Sequence, residues 1–245
     1  MHVLVIGSGL IGTATAWYLR REGADVTVVD RAAGPARETS FANAGMLTPS
    51  MADPWNAPGV VWKLLGWVGR EDAPMLLRPR EIPRLAGWGT RFLWNSRVAS
   101  FERNMLKNLA LASFSLDALR ELRAELGLRY CERSFGVLKV FRDSASLAKA
   151  VTVAEQLAER GVVHRALDRE GVAEVEPSLA PVAGQLAGGI LHPDDESGDA
   201  HRFVCALAEA ASGAGVRFEF DTAVTGLRAE GNRLTAVATT AGDLG

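Results

Sequence analysis

The first thirty residues, MHVLVIGSGLIGTATAWYLRREGADVTVVD, constrain this chain more than any others. His2–Ile6 is a short apolar run of the kind buried in a parallel sheet. Gly7, Gly9 and Gly12 follow at once as G-x-G-x-x-G. Leu10–Arg21 has helical periodicity, with Ala14, Ala16 and Leu19 directed at a sheet and Gly23 just past the helix end. Val26–Val29 reads as a second strand, closed by Asp30. Strand, glycine turn, helix and acidic strand end together predict a βαβ unit for a dinucleotide. Gly7 permits the tight turn, Gly9 the approach of backbone to a pyrophosphate, and Gly12 the packing of helix on strand. The pyrophosphate then lies where helix dipole and unpaired N–H groups favour an anion. Asp30 stands 18 residues beyond Gly12, near the spacing of a carboxylate that accepts from a ribose hydroxyl. An acid at that point argues against a 2′-phosphate and hence NADP, leaving NAD and FAD. NAD is disfavoured because no second βαβ half follows Asp30.

The chain has 245 residues, enough for one large domain or two modest ones. A net charge of −2 gives no global basic field, so no nucleic-acid partner is expected. Cys131 and Cys205 lack C-x-x-C spacing and read as two thiols in a reducing compartment. His2, His164, His192 and His201 show no metal-ligand spacing, so no metal site is expected. The opening apolar run is too short for a signal sequence, and no run has the length of a membrane span. These features predict a cytoplasmic protein.

Three blocks follow from the patterning. Residues 1–48 form the nucleotide unit and a loop, residues 49–190 are less regular, and residues 191–245 return to strand–helix–strand patterning. The loop after Asp30, RAAGPARETSFANAGMLTPS, is too poor in bulky apolar residues for a core strand or stable helix. Its length of about 20 residues marks a functional segment, and its small residues allow close approach to a flat ligand. Residues 51–100 carry five of the six tryptophans, interleaved with arginines and broken by prolines. Tryptophan with arginine marks membrane-interface segments, which leaves open a peripheral contact with the inner face of the plasma membrane. The favoured reading is a proline-broken part of a substrate domain whose tryptophans fill its own core, because no single long amphipathic helix carries the set. Met105–Leu126 predicts a helix ending at Gly127, Gly136–Arg142 a half-buried strand, and Asp143 the cap of a helix ending at Gly161. A short helix is expected over Arg169–Val175. Asp194, Asp195 and Glu196 could serve as general acid or metal ligands; the favoured reading is a solvated loop beside a helix capped by Asp199. Strands are expected over Val216–Phe220, Val224–Arg228 and Leu234–Thr239, the last following a Gly231–Asn232 turn.

These residues together resemble the FAD-dependent D-amino-acid dehydrogenases of bacteria, small-subunit type, within the wider family of D-amino-acid oxidase, glycine oxidase and sarcosine oxidase. VLVIGSGLIGTATAWYLRREGADVTVVDR is shared across the wider family. ETSFANAGMLTPS with DPWNAPG, and GILHPDDESGDAHRF with VRFEFDTAVTGL, are more specific to the dehydrogenases. The resemblance implies an α/β fold: a FAD-binding Rossmann-type βαβ domain plus an α+β substrate domain, incomplete at the C-terminus. FAD-binding segments would be 1–48 and 191–245, with 49–190 the first part of the substrate domain.

By this resemblance Gly7, Ser8, Gly9, Leu10, Ile11 and Gly12 hold the FAD pyrophosphate, Asp30 holds the adenosine ribose, and Arg31 lies by the adenine. Ser40, Asn43, Ala44, Gly45 and Met46 run under the pyrophosphate toward the isoalloxazine, and the backbone of Val224 contacts adenine. The implied activity is oxidative deamination of a D-amino acid such as D-alanine. Hydride passes from Cα to flavin N5, and water converts the imino acid to a 2-oxo acid and ammonia. The implied partners are the D-amino-acid substrate and an electron acceptor such as a quinone. Relatives acting on glycine, sarcosine or a D-hydroxyproline-like substrate, and a truncated nucleotide-binding module without activity, are the competing readings. Family members continue beyond residue 245, and their basic residue for the substrate carboxylate usually lies there, so no catalytic residue is assigned. The same resemblance predicts that the nucleotide sheet lacks a returning strand, that Leu234–Thr239 lies at an open edge, and that the Trp-rich segment lacks its packing partners.

Overall fold

In the computed structural model, residues 1–74, 76–231 and 233–244 are described. The chain opens with β1 (His2–Ile6), α1 (Leu10–Arg21) and β2 (Asp25–Val29), then makes a two-residue strand β3 (Met46–Leu47). Helices α2 (Val60–Trp67), α3 (Ile82–Trp94) and α4 (Val98–Leu126) follow. After them come β4 (Val137–Phe141), α5 (Ser144–Ala158), β5 (Arg165–Leu167), α6 (Arg169–Val175), β6 (Gly188–His192) and β7 (Glu196–Ser197). The chain ends with α7 (Ala200–Gly213), β8 (Arg217–Glu219), β9 (Val224–Glu230), β10 (Arg233–Thr239) and β11 (Gly242–Leu244).

Contacts divide the chain into two compact units. The first comprises Met1–Leu47, Leu119–Leu138 and Pro193–Gly245. Its centre is the parallel sheet β1-β2-β8, with His2 opposite Asp25, Ile6 opposite Val29 and Thr27 opposite Arg217. β1 has no second partner strand among the described residues. Helices α1 and α7 pack together beside this sheet. Ala16 and Trp17 of α1, Val26 and Val28 of β2, and Phe203, Val204, Leu207 and Ala211 of α7 form one buried cluster. Spacing explains why these helices turn these faces inward: Phe203, Val204, Leu207 and Ala211 recur at the helical interval. The helix ends are as expected. Gly23 takes φ +83° and its N–H reaches the Arg20 carbonyl, while Asp199 accepts from Arg202 N at 2.9 Å.

The second unit comprises Thr48–Ala118 and Lys139–His192. Its sheet is ordered β4-β6-β5, β5 and β6 running antiparallel with Arg165 opposite Leu191. Ala52, Met105, Leu109 and Leu157 form its buried cluster, backed by Phe101, Val153 and Val162. Asp143 caps α5 and Asp168 caps α6 through Ser146 N and Gly171 N, at 2.7 and 2.8 Å.

Several expectations need correction. The tryptophans of residues 51–100 do not fill a core: Trp55, Trp62, Trp88 and Trp94 are each more than half exposed. The segment makes two helices, α2 and α3, and α3 buries no residue. Helix α4 begins at Val98 rather than Met105, because Arg97 carbonyl bonds to Ser100 N and Phe101 N already start the ladder. Leu234–Thr239 is not at an open edge. It falls within β10, the middle strand of an antiparallel sheet β11-β10-β9, since β11 follows as an unexpected return strand. In the turn between β9 and β10, Asn232 lies outside the described residues. Residues 119–138, read as part of the middle block, group by contact with the terminal segments.

Candidate functional site

The glycine turn is set by backbone geometry. Gly7 takes φ +100°, and its N–H donates to the Val29 carbonyl at 2.8 Å, which holds the end of β1 against β2. A Cβ on Gly12 would collide with the Gly7 carbonyl, so α1 starts as close to the turn as a glycine allows. Gly9 differs. Its φ of −73° and ψ of −174° suit any residue, and a Cβ there would meet only Ser40 Oγ, at an ordinary 3.4 Å. The protein's own backbone conformation requires glycine at Gly7 and its packing requires it at Gly12, but neither requires it at Gly9. Gly9 also supplies no side-chain cap to α1, and the helix has no acid in its first turn. The N-terminal N–H groups of α1 therefore form a positive end with no acid within the helix's own first turn.

Asp30 follows β2 and reaches back to this turn. Its Oδ2 accepts from Ser8 N and Ser8 Oγ, both at 2.6 Å, and its Oδ1 accepts from Ala32 N at 2.9 Å. Burial raises the Asp30 pKa, but these hydrogen bonds and the charge of Arg31 more than offset it, so the carboxyl lies below its ordinary range. A carboxylate has about four acceptor positions, so three donors leave room for one more. Arg31 is engaged by Glu38 at 2.6 Å. Asp221 N donates to the Ala32 carbonyl and Thr222 N to the Asp30 carbonyl, which brings the start of β9, with Val224, to the same strand end.

The long loop returns to α1 at Ser40, whose Oγ accepts from Leu10 N at 3.1 Å. Asn43 Oδ1 then accepts from Gly45 N at 2.8 Å, turning the chain into β3. β3 pairs with β7, Met46 opposite Ser197 and Leu47 opposite Glu196. Gly45 takes φ +59°, and a Cβ there would strike the Gly198 carbonyl. Its missing side chain is used within the protein, by contrast with Gly9. Asn43, Ala44, Gly45, Met46 and Leu47 form one wall of a cavity of about 310 Å³, completed by Leu10, Leu119, Tyr130, Gly198, Asp199, Ala200 and Phe203. Ile11 stands exposed at the start of α1.

The far wall rests on a buried ion cluster. The sequence reading placed Asp195 and Glu196 in a solvated loop; both are buried. Glu196 takes Arg120 Nε at 2.6 Å and Arg123 Nη1 at 2.7 Å, and Arg123 also donates to Tyr130 Oη at 3.0 Å. Arg120 further donates to the Asp194 carbonyl at 2.8 Å. Burial pushes the Glu196 carboxyl up, but the two arginines more than reverse this and hold it below the ordinary range. Asp199 N donates to the Tyr130 carbonyl at 2.7 Å, and the Tyr130 ring lies so near Gly198 that a side chain there would not fit. No group of three or more potential metal-ligating side chains occurs among the described residues. The arginines on α4 were missed because their spacing is that of an ordinary exposed helix face.

Three features of this region fit FAD. A glycine unexplained by the protein stands at a helix start with no acid in its first turn, a carboxylate at the strand end has remaining acceptor capacity, and a mainly apolar cavity opens at Leu10, the first residue of that helix. A sequence model of the family described as FAD dependent oxidoreductase matches residues 2–244. Among curated relatives, the D-amino acid dehydrogenases of Paramagnetospirillum magneticum and Rhizorhabdus wittichii are 45% and 44% identical, each over 100% of this chain. The chain spans 58% and 59% of the length of those relatives. Similar solved structures include an L-amino acid deaminase from Proteus vulgaris, with a TM-score of 0.68 at 19% identity over 99% of this chain and 44% of that one. Glycine oxidase from Bacillus cereus gives 0.64 at 20% identity over 99% of this chain and 52% of that one. At such identities the likeness is one of fold.

Two expectations follow. Gly9→Ala leaves stability within about 0.5 kcal/mol, yet weakens FAD binding at least about tenfold, roughly 1.4 kcal/mol. Denaturant melts and flavin titration of the same protein measure both. Glu196→Gln is expected to cost roughly 3 kcal/mol, the lower end for a broken buried ion pair because Arg120 is partly solvated. Since the Glu196 pKa is lowered in the fold, its stabilisation is full above the ordinary glutamate range and fades as pH falls through the lowered value. Stability measured against pH then shows a shallower acid limb in Glu196→Gln than in the parent.

Proposed function

The chain belongs to the family of FAD-dependent oxidoreductases, and on that premise we propose that it binds FAD at the glycine turn and serves the oxidative deamination of D-amino acids such as D-alanine. The observation that carries the cofactor site is Gly9, whose lack of a side chain serves no packing need of the protein. The substrate class rests on the D-amino acid dehydrogenases that are similar to the chain over its full length.

In this reading the turn from Gly7 to Gly12 presents N–H groups to the pyrophosphate, and the α1 dipole favours its charge. Asp30 offers its remaining acceptor position to a ribose hydroxyl, and Arg31 and the Val224 backbone lie on the adenine side. Ser40 and Asn43–Met46 carry the chain along the pyrophosphate to the 310 Å³ cavity. There Met46, Leu47, Leu119, Tyr130 and Phe203 exclude water from the reacting centre. Bound FAD supplies the hydride acceptor that takes the substrate from amine to imine, which water converts to a 2-oxo acid and ammonia. The electrons then pass to a carrier such as a quinone, which implies contact with the inner face of the plasma membrane. No helix among the described residues is long and apolar enough to cross a membrane.

The test is anaerobic reduction of the bound flavin. D-alanine is expected to bleach the oxidised flavin spectrum, while L-alanine, glycine and sarcosine leave it unchanged. Preferred bleaching by glycine or sarcosine would replace the substrate assignment with that of an amine oxidase. A flavin spectrum that no amine alters would mark a non-catalytic nucleotide-binding module, and absence of flavin after reconstitution would remove the cofactor site itself.

A further inference from the structure

Asp53 opens the stretch DPWNAPG, which neither the glycine turn nor the cavity beside it uses. It closes a segment of the second unit, residues 49–53, that is clamped from several sides. Lys139 Nζ, from β4, donates to the Ser50 carbonyl at 2.8 Å, and Asn108 Nδ2, from α4, donates to the Ala52 carbonyl at 3.1 Å. Ala52 is buried with Met105, Leu109 and Leu157. Helix α4 and strand β4 thus fix where Asp53 stands. Its carboxylate nevertheless makes no hydrogen bond or ion pair among the described residues. Asp53 is exposed, yet burial pushes its carboxyl above the ordinary range, and the charge of Lys139 only partly opposes this. A residue that solvent reaches while protein crowds it lines a recess. Asp72, Glu132, Asp143 and Glu176 are displaced the other way, each by hydrogen bonds of a kind that Asp53 lacks.

The neighbouring charge decides what that carboxylate can receive. Elsewhere in the chain, neighbouring acids and bases close on each other: Arg31 meets Glu38 at 2.6 Å, and Arg70 meets Asp72 at 2.7 Å. Asp53 and Lys139 do not. The Lys139 ammonium is drawn to the Ser50 carbonyl, so the two opposite charges act on each other without forming an ion pair. A lone cation at Asp53 would be repelled by Lys139, and a lone anion at Lys139 by Asp53. A zwitterion suffers neither penalty, since it brings an ammonium to the acid and a carboxylate to the base. A free amino acid carries those two groups on one carbon, and so matches two opposite charges that are held apart.

We propose that Asp53 and Lys139 together receive the main chain of a zwitterionic amino acid, Asp53 accepting from its ammonium and Lys139 pairing with its carboxylate. This rests on the functional reading above, in which an amino acid is the substrate, and it names two residues of the second unit that hold it. Both are binding groups, and neither is given a part in breaking a bond.

The experiment is calorimetric titration of the 245-residue chain with D-alanine, with D-lactate, which lacks the ammonium, and with D-alaninamide, which lacks the carboxylate. D-alanine is expected to bind at least about tenfold more tightly than either, the scale of one charge-assisted contact. Asp53→Asn is expected to abolish the preference over D-lactate and to keep the preference over D-alaninamide. Lys139→Gln is expected to do the opposite, and Lys139→Arg to keep the parent pattern. A loosened fold would weaken all three ligands alike, so the loss of one preference at a time separates ligand contact from structural support. Variants that keep both preferences, variants that weaken the three ligands equally, or a parent that fails to bind D-alanine or to discriminate among the three would overturn the proposal. Anaerobic flavin reduction, followed on the same samples, keeps the functional reading distinct. If D-alanine reduces the flavin while the variants keep both preferences, the pair falls and the deamination reading stands. If the preferences follow the expected pattern while the flavin stays oxidised, the pair stands and the deamination reading falls.

Discussion

Asp30 ties two segments that are remote in sequence, the glycine turn and residues 219–222, to the end of β2. Its backbone N–H donates to the Glu219 carbonyl of β8, its carbonyl receives Thr222 N, and its carboxylate receives Ser8 from the glycine turn and Ala32 from the following loop. The pairs to Ser8 are short and charge-assisted, the strong class of hydrogen bond. Ser8 is fully buried, so its N–H and hydroxyl have no access to water if the carboxylate is lost. The inner shape of the turn depends on this side chain, while the Asp30 backbone holds the β8–β9 segment at the same strand end. A carboxylate that shapes the turn from within also has acceptor capacity to spare toward a ribose. Replacing Asp30 would therefore mix loss of fold with loss of ligand, whereas Gly9 separates the two.

The cavity beside the turn depends on a second buried charge. Glu196 sits on β7, opposite Leu47, and both of its oxygens are held by arginines of α4. Without those arginines a buried carboxylate would be costly, and with them β7 is fixed against Met46–Leu47. Gly45 and Gly198 then lie backbone to backbone, Gly198 N donating to the Gly45 carbonyl at 2.8 Å. The loop assigned to a flat ligand is thus held by α1 at Ser40 and by β7 and Gly198 at Gly45–Leu47, and its residues Asn43–Leu47 form one wall of the cavity.

Much of the local structure was legible because its signals lie close together in sequence. The G-x-G-x-x-G turn, the apolar β1, the α1 periodicity and the caps at Asp143 and Asp199 each act within a few residues, and each is found in place. What was not legible depends on contacts between distant residues. Glu196 looked solvated because three adjacent acids have the composition of a loop, and nothing nearby in sequence announces Arg120 and Arg123. The burial of the tryptophans was misread for a related reason. Tryptophan is usually a core residue, and only the arrangement of α2 and α3 shows that their apolar side faces solvent. For the candidate site, the turn and Asp30 could be named from sequence, whereas the walls contributed by Leu119, Tyr130 and Phe203 could not.

The central claim is that one continuous surface, from the glycine turn past Asp30 and along Ser40–Leu47, receives FAD. Amide hydrogen exchange of the flavin-free chain, followed residue by residue as FAD is added, tests it most directly. The account predicts slowed exchange concentrated in the turn and first helical residues from Gly7 to Thr13, in Ser40–Leu47 and in the segment leading to Val224, with α2 and α3 unchanged. Protection that falls elsewhere, or saturating FAD that slows none of these amides, would contradict it.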